Sequence, residues 1–195
     1  MEFKNQEFPG IEDVIKWLFE KAEKNDRESN HYVISESIGI IARFSGNEAR
    51  KIIKSVHSMN PIRRFIVASS LRYMLEGSNE ASIEDESVED YCHGVAELTK
   101  DKEVNIRYAA MKSLNSILNS HYSLIKSSLT DKFIDQLKDN LSIHSDLIII
   151  VDYGVNKEKK DLARPLRTES FNFLKNVLEN RKIEAIYEEL VKKCL

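Results

Sequence analysis

The fold is decided by the stretch DKEVNIRYAAMKSLNSIL, Asp101–Leu118. A basic residue, Arg107, stands near the start of a helical pattern, and leucines follow 7 and 11 positions later, at Leu114 and Leu118. Residues with these spacings lie on one face of an α-helix, because the helix completes a turn about every 3.6 residues. The stretch therefore predicts an amphipathic helix with a basic residue near its beginning.

The same arrangement recurs in three other parts of the chain. It is found at Arg64 with Leu71 and Leu75, at Arg167 with Leu174 and Leu178, and more loosely at His31 with Ile38 and Ala42. The four basic residues stand 33, 43 and 60 positions apart. The first two spacings are typical of a two-helix HEAT repeat of about 40 residues, and the third is longer by roughly 20.

Helical spacing extends over most of the chain, which has only six glycines and three prolines. The predicted helices are 11–24, 29–44, 48–59, 62–76, 87–100, 104–119, 122–137, 164–180 and 183–195. Ser29 is a candidate N-cap, and Gly46 is expected to end the second helix. We therefore predict an all-α fold, in which residues 1–195 form a single HEAT-repeat α-solenoid of about four helix pairs plus a terminal helix.

Stacking explains such a pattern, because a helix pair with one apolar face can bury that face only against its neighbours. The basic residue early in the second helix of each pair can bond to loop carbonyls or carboxylates of the adjoining repeat. Asp101, six residues before Arg107, is the candidate partner. We interpret Arg64, Arg107 and Arg167 as structural residues and not as a binding site.

The repeat is interrupted once, by the stretch LIIIVDYGVNKEKKDLARPLR, Leu147–Arg167. Leu147–Val151 is apolar and largely β-branched, which suits a strand, and Gly154 permits a tight turn. One hypothesis is a protruding β-hairpin. The other is that Leu147–Val151 extends a buried helix and Val155–Asp161 forms a loop. The residues leave both open, and we place the inserted hairpin or loop at about 146–164, where an insertion on a rigid scaffold often carries function.

Composition excludes several classes of function. The net charge of -3 gives no overall case for binding nucleic acid or a membrane surface. No apolar run approaches the ~18 residues of a membrane span, and the N-terminus lacks a secretory signal. Two distant cysteines are typical of reduced thiols in a cytoplasmic or nuclear protein. The acidic segment Gly77–Asp90 is either a solvated loop or a patch for a basic partner.

Residues for catalysis do not converge in this sequence. Cys92 and His93 are adjacent, and neighbours on a helix point about 100° apart. Cys92 falls on the apolar face and is interpreted as a small core residue. The five histidines show no metal-ligand spacing, and the glycines form no phosphate-binding loop. We therefore predict no enzyme, no catalytic residue, no metal site, no cofactor and no small-molecule substrate.

Two segments carry a resemblance to a known family. They are VNIRYAAMKSLNSILNSHYSLIK, Val104–Lys126, and DLIIIVDYGVNKEKKDLARPLRTESFNFLKNVL, Asp146–Leu178. Their order of elements and the single glycine near the turn resemble the CAND family, the cullin-associated, neddylation-dissociated proteins built from many HEAT repeats. The resemblance covers roughly Ser69–Leu195, and the first two repeats match only as generic HEAT.

The resemblance implies a function as well as a fold. In that family the segment after the glycine forms a β-hairpin. The hairpin packs on the N-terminal domain of a cullin, where the substrate adaptor would otherwise bind. It therefore implies a cullin-binding regulator of SCF-type ubiquitin ligase assembly, located in the cytoplasm, the nucleus or both. The implied partner-binding residues are Ile149, Ile150, Val151, Asp152, Tyr153, Gly154, Val155, Asn156 and Lys157.

Two other functions remain as alternatives. A HEAT-repeat adaptor, for example in nuclear transport or as a scaffold, would bind its partner on a helical face and would not need Asp152–Lys160. A DNA-glycosylase type enzyme on HEAT-like repeats would need a basic groove. The net charge of -3 argues against the DNA-glycosylase alternative.

Overall fold

Paired helices make up most of the chain. The computed structural model describes residues 10–24, 28–75, 85–118, 122, 133–134, 137, 140–141, 148–152, 157–161 and 163–194. The helices are α1 (Ile11–Glu23), α2 (Glu28–Phe44), α3 (Gly46–Ser55), α4 (Pro61–Leu75), α5 (Asp85–Leu98), α6 (Val104–Leu118) and α7 (Ala163–Cys194), and two strands precede α7, namely β1 (Ile148–Asp152) and β2 (Lys157–Asp161). A short 3-10 turn, Val56–Ser58, follows α3.

The helices form two layers. In one layer, which we call the B layer, α2 packs on α4, α4 on α6, and α6 on α7. On the other side α1 packs against α2, α3 against α5, and α5 against α6. A continuous set of apolar side chains lies between these helices. This stacking of successive helix pairs is the arrangement of a solenoid, in which each repeat contacts its neighbours along the chain.

The apolar positions of the repeat face this core. Ile38, Ala42, Leu71, Leu75, Leu114 and Leu118 are each at most 2% exposed. The corresponding residue at the end of the pattern, Leu178 of α7, is 60% exposed. Since α7 is the last helix of the described B layer, Leu178 has no following helix to cover it there.

The second helix of one pair starts as the sequence predicts. Pro61 is the first residue of α4, a position where the missing N–H of proline costs nothing. The amide of Arg63 donates to Oδ1 of Asn60 at 3.0 Å, which caps the helix. Two other predicted signals are wrong. Ser29 lies inside α2, which begins at Glu28, and although α2 ends at Phe44 as predicted, Gly46 is the first residue of α3.

The terminal helix is not separate. The sequence predicts one helix to Asn180 and another from Ile183, whereas α7 is continuous over 32 residues. The connecting residues Arg181 and Lys182 favour helix, and no proline or glycine interrupts them. Nδ2 of Asn180 donates to the carbonyl of Asn176 at 2.8 Å, so the amide side chain bonds within the helix and does not cap its end.

The residues between α6 and the strands are described only in part. The described residues here are helical, namely 122, 133–134, 137 and 140–141. Those up to 137 agree with the predicted helix 122–137. Phe133 and Leu137 are buried. The ring of Phe133 meets that of Phe173 edge to face, with centroids 6.2 Å apart, so this stretch packs on α7.

The basic residue of the repeat has a structural role, but its partner differs from the predicted one. The guanidinium of Arg64 donates to Asp101, with Nε 2.6 Å from Oδ2 and a terminal nitrogen 3.2 Å from Oδ1. Arg107, for which Asp101 was the predicted partner, donates instead to Oδ1 of Asn140 at 3.4 Å. Each arginine reaches forward to the next repeat, Arg64 to the loop residue Asp101 and Arg107 to the helical residue Asn140, while Asp101 acts on Arg107 only through its charge.

Close packing of α2 on α4 depends on one glycine. A Cβ added at Gly39 would lie 2.5 Å from the carbonyl oxygen of Ser70 and 2.8 Å from Cβ of Tyr73. The nearest of these atoms belongs to the backbone, so the two helices approach as closely as they do only because position 39 has no side chain. Arg43 strengthens the same contact, donating to the carbonyls of Met74 and Tyr73 at 2.8 and 2.7 Å.

No helix in the described part of the chain is both long and apolar enough to cross a membrane.

Candidate protein-binding surfaces

A pair of antiparallel strands occupies the interruption of the repeat. β1 and β2 pair with each other, and Ile148 stands opposite Asp161, Ile150 opposite Lys159, and Asp152 opposite Lys157. An apolar strand is therefore paired with a charged one, since β1 is IIIVD and β2 is KEKKD. Of the two hypotheses for this segment, the extension of a helix through Ile148–Val151 does not agree with these strands.

The strand pair contains some of the residues that the resemblance implies. Ile149, Ile150, Val151 and Asp152 belong to β1, and Lys157 is the first residue of β2. Tyr153, Gly154, Val155 and Asn156 lie outside the described residues. Among the described elements, each strand has the other as its main neighbour. The sheet has two strands, so each has one edge without a described strand beside it.

A second feature, a groove on the B layer, has no counterpart in the sequence analysis. It is lined by Tyr32 of α2, by Arg72 of α4, and by Tyr108 and Lys112 of α6. The buried residues Ser69, Ala109 and Ser113 line it as well, and its enclosed volume is about 10 Å³, which is room for one small polar group at the bottom of an otherwise open groove. The groove spans three consecutive repeats, which periodicity within one helix cannot reveal.

The cations of this groove lie on aromatic rings. The guanidinium of Arg72 is 4.3 Å from the ring centre of Tyr73 and 5.7 Å from that of Tyr32. It also donates a hydrogen bond to the hydroxyl of Tyr73. Nζ of Lys112 is 6.0 Å from the ring centre of Tyr108. The flat faces of the rings attract a cation and hold it in place.

Cys92 is a core residue, as predicted. It is fully buried, whereas the adjacent His93 is exposed, so the two side chains do not converge. Burial raises the pKa of the Cys92 thiol to about 12, and the nearby carboxylate of Glu89 adds to the effect. A thiol with so high a pKa is a poor nucleophile near neutral pH. Burial also raises the pKa of Tyr91, whose hydroxyl lies 2.7 Å from Oγ of Ser70.

Within the described ranges, no three His, Cys, Asp or Glu side chains lie close enough together to hold a metal ion.

Stacked helix pairs with a buried core between two layers define the class as a helical-repeat protein. The mouse protein (Mus musculus) called Cullin-associated NEDD8-dissociated protein 2 is 24% identical over an alignment of 181 positions, which covers 88% of this chain and 14% of the mouse protein. The rat protein (Rattus norvegicus) of the same name is also 24% identical over 181 residues, which are 13% of its length. No protein-family model matches the chain.

These similarities are distant but cover most of the chain. They agree with a HEAT-type array and with a role in protein interaction. The chain spans only 14% of the mouse relative's length, so the activity of that whole protein does not transfer to it directly.

Proposed function

We propose that this chain is a HEAT-repeat protein that binds the N-terminal domain of a cullin and regulates the assembly of ubiquitin ligases. The observation that carries the proposal is the similarity of 88% of the chain to two proteins whose name begins with cullin-associated. The stacked helix pairs support it because such arrays present long surfaces to protein partners.

The strand pair is the proposed contact surface of this chain. It would contact the cullin at the site where a substrate adaptor would otherwise bind. Two strands alone are marginally stable in water, so they gain order when a partner covers them. Alternate residues of a strand lie on opposite faces, and the register therefore places Ile149, Val151, Glu158 and Lys160 on one face of the pair. An unpaired strand edge can also add a strand from a partner. We assign the contact to Ile149–Asp152 and Lys157 together with the intervening residues 153–156.

The test is a titration of a labelled cullin N-terminal domain with this chain. We expect binding by the native chain and its loss when residues 152–160 are replaced by a glycine-serine linker of equal length. A point variant, Ile149→Ser, is expected to weaken binding about tenfold or more, because it removes an apolar group from the contact. Phe171→Ser is the matched control, since Phe171 is 59% exposed on α7, outside the strand pair.

Circular dichroism has to show that the linker variant keeps its helices before its binding is interpreted. If a folded linker variant binds the cullin as well as the native chain does, the contact surface is elsewhere. If neither this chain nor a longer chain with further repeats binds any cullin N-terminal domain, the proposed function is wrong.

A second function, a helical-face adaptor for another protein, is favoured by one observation, the groove on the B layer. It predicts a partner whose binding survives the linker replacement at 152–160 and depends on residues of α4 and α6.

A further inference from the structure

We propose that the groove formed by Tyr32, Ser69, Arg72, Tyr108 and Lys112 binds a glutamate or aspartate side chain from an acidic segment of a protein partner. The site is distinct from the strand pair. The proposal does not require that the partner be a cullin.

The strongest evidence is an unsatisfied hydroxyl. Ser69 is only 3% exposed, it lines the groove, and its Oγ has no hydrogen-bond partner. Serine hydroxyls inside helices usually bond to a carbonyl of the preceding turn, as Ser70 does with Val67 at 2.8 Å. A buried polar group without a partner is costly and uncommon, so an acceptor from a ligand would satisfy it.

Arg72, three residues after Ser69 on α4, presents a second unsatisfied donor. Its Nε is buried and has no hydrogen-bond partner, while a terminal nitrogen is engaged by the hydroxyl of Tyr73. The rings of Tyr32 and Tyr73 hold the guanidinium in position. Two donors of different residues, one cationic and one neutral, thus line the same groove. A carboxylate has two oxygens and can accept from both.

Charge favours an anion at this place. Arg72 and Lys112 carry positive charge, and neither forms a salt bridge with any carboxylate in the part of the chain that the structure describes. The acidic group next to the groove along α2 is Glu36, one turn after Tyr32, and it is exposed. Among the described residues at and beside the groove, two cations stand against one solvated carboxylate, which leaves a net positive charge there.

A carboxylate fits these donors better than a phosphate does. Lys112 is exposed and lies on Tyr108, so the buried donors of the groove lining that lack a partner among the described residues are Oγ of Ser69 and Nε of Arg72. A phosphate has three terminal oxygens, which is one more than these two unpartnered donors can each bond singly. Tyr32 and Tyr108 suit instead the methylene groups of a glutamate or aspartate side chain.

The experiment measures fluorescence anisotropy of a labelled eight-residue peptide, Gly-Ser-Glu-Glu-Glu-Glu-Ser-Gly, titrated with the full chain at low salt. The same peptide with glutamine for glutamate is the neutral comparison, and a version with phosphoserines tests the other anion. We expect the glutamate peptide to bind most tightly, and the glutamine peptide at least about tenfold more weakly, the loss expected when a charge-assisted hydrogen bond is removed.

Single substitutions distinguish binding in the groove from attraction of the peptide by the overall charge of the chain. Arg72→Gln is expected to weaken binding of the glutamate peptide about tenfold or more. Lys175→Gln is the matched control, because Lys175 stands eight positions after Arg167, as Arg72 stands eight positions after Arg64, and it is exposed outside the groove. We expect its effect to be less than about twofold, as for a single surface charge.

The Ser69→Ala variant distinguishes a binding role of the Ser69 hydroxyl from a purely structural one. Removing an unsatisfied buried hydroxyl should leave the melting temperature unchanged or raise it, yet weaken peptide binding several-fold. Glu36→Gln should strengthen binding, since it removes the carboxylate beside the groove. The melting temperatures of all variants confirm that each one is folded.

Three outcomes overturn the proposal. Equal losses in Arg72→Gln and Lys175→Gln would mean attraction by overall charge. Tighter binding of the phosphoserine peptide would assign the groove to phosphate. No binding of the glutamate peptide by the folded chain would mean that solvent alone satisfies Ser69 and Arg72. None of these results depends on cullin binding, so the two proposals fail or succeed separately.

Discussion

Asp101 lies in the loop between α5 and α6, and its carboxylate joins two repeats. It accepts two hydrogen bonds from Arg64, and its Oδ1 also accepts the amide of Glu103 at 2.9 Å. Arg64 in addition donates to the carbonyl of Met59 at 2.7 Å. Both charged side chains are at most 10% exposed, so each needs the other to be buried without a large cost.

We expect Arg64→Met to lower the free energy of unfolding by about 3–5 kcal/mol, because it leaves the buried carboxylate of Asp101 without its cation. Urea denaturation measures the change. Lys100→Met is the control, since the pair of Lys100 with Glu97 is largely in solvent and is expected to contribute less than about 1 kcal/mol. The double variant Arg64→Met with Asp101→Asn should recover most of the loss, and failure to recover it would assign the effect to packing.

The raised pKa of Cys92 predicts how the free energy of unfolding depends on pH. Its pKa is about 12 in the folded chain and ordinarily 9.0, so the unfolded chain loses the thiol proton first as pH rises. The stabilisation is complete below about pH 8.5 and falls above pH 9 by up to about 1.4 kcal/mol per pH unit.

The control for this prediction is Cys92→Ala. The variant should show a smaller decline in the free energy of unfolding between pH 9 and 10 than the native chain, although Tyr91 adds its own decline at higher pH. Equal slopes in the two proteins would contradict a buried, protonated thiol.

At the scale of elements, the continuity of α7 has a testable consequence. We expect Lys182→Pro to reduce far-UV helicity and to lower stability by as much as about 3 kcal/mol, because proline removes a helix hydrogen bond and clashes with the preceding turn. Arg164→Pro is the control, since it lies in the first turn, where the amide has no acceptor within the helix. Unchanged helicity in Lys182→Pro would show that the helix already ends before that residue.

At the scale of the whole molecule, position in the array decides what a residue contributes. Val33 of α2 and Ile66 of α4 each stand two residues after the basic position of their repeat. Ile66 is fully buried, whereas Val33 is 62% exposed. Exposure recurs further along the same face of α2, where Ile40 is 43% and Phe44 is 80% exposed. The end helices of the described B layer thus have one helical neighbour in that layer, and the middle ones have two.

This difference predicts unequal effects of matched substitutions. Ile66→Ala should cost about 2–5 kcal/mol, because it leaves a cavity between two helices. Val33→Ala should change stability by less than about 0.5 kcal/mol. Hydrogen exchange should likewise be slowest in α4 and α6, and faster in α2 and α7. Uniform protection along the B layer would contradict this one-dimensional pattern.

The sequence by itself determined the local features of this protein. The spacing of Arg64, Leu71 and Leu75, repeated at Arg107, predicted the helices of the B layer, because helical period is a property of neighbouring residues. The spacing also located the interruption at Leu147–Arg167. The start of α4 at Pro61 followed from the covalent chemistry of proline. The contact residues in 149–157 remain a prediction.

Only the tertiary structure decided which side chains meet across repeats. Arg64 pairs with Asp101 at a separation of 37 residues, and Arg107 with Asn140 at 33. The pattern of one helix is compatible with a partner in either adjoining repeat, so it does not identify the partner. The groove of Tyr32, Arg72 and Tyr108 arises for the same reason, since three helices distant in sequence come together only when stacking places them side by side.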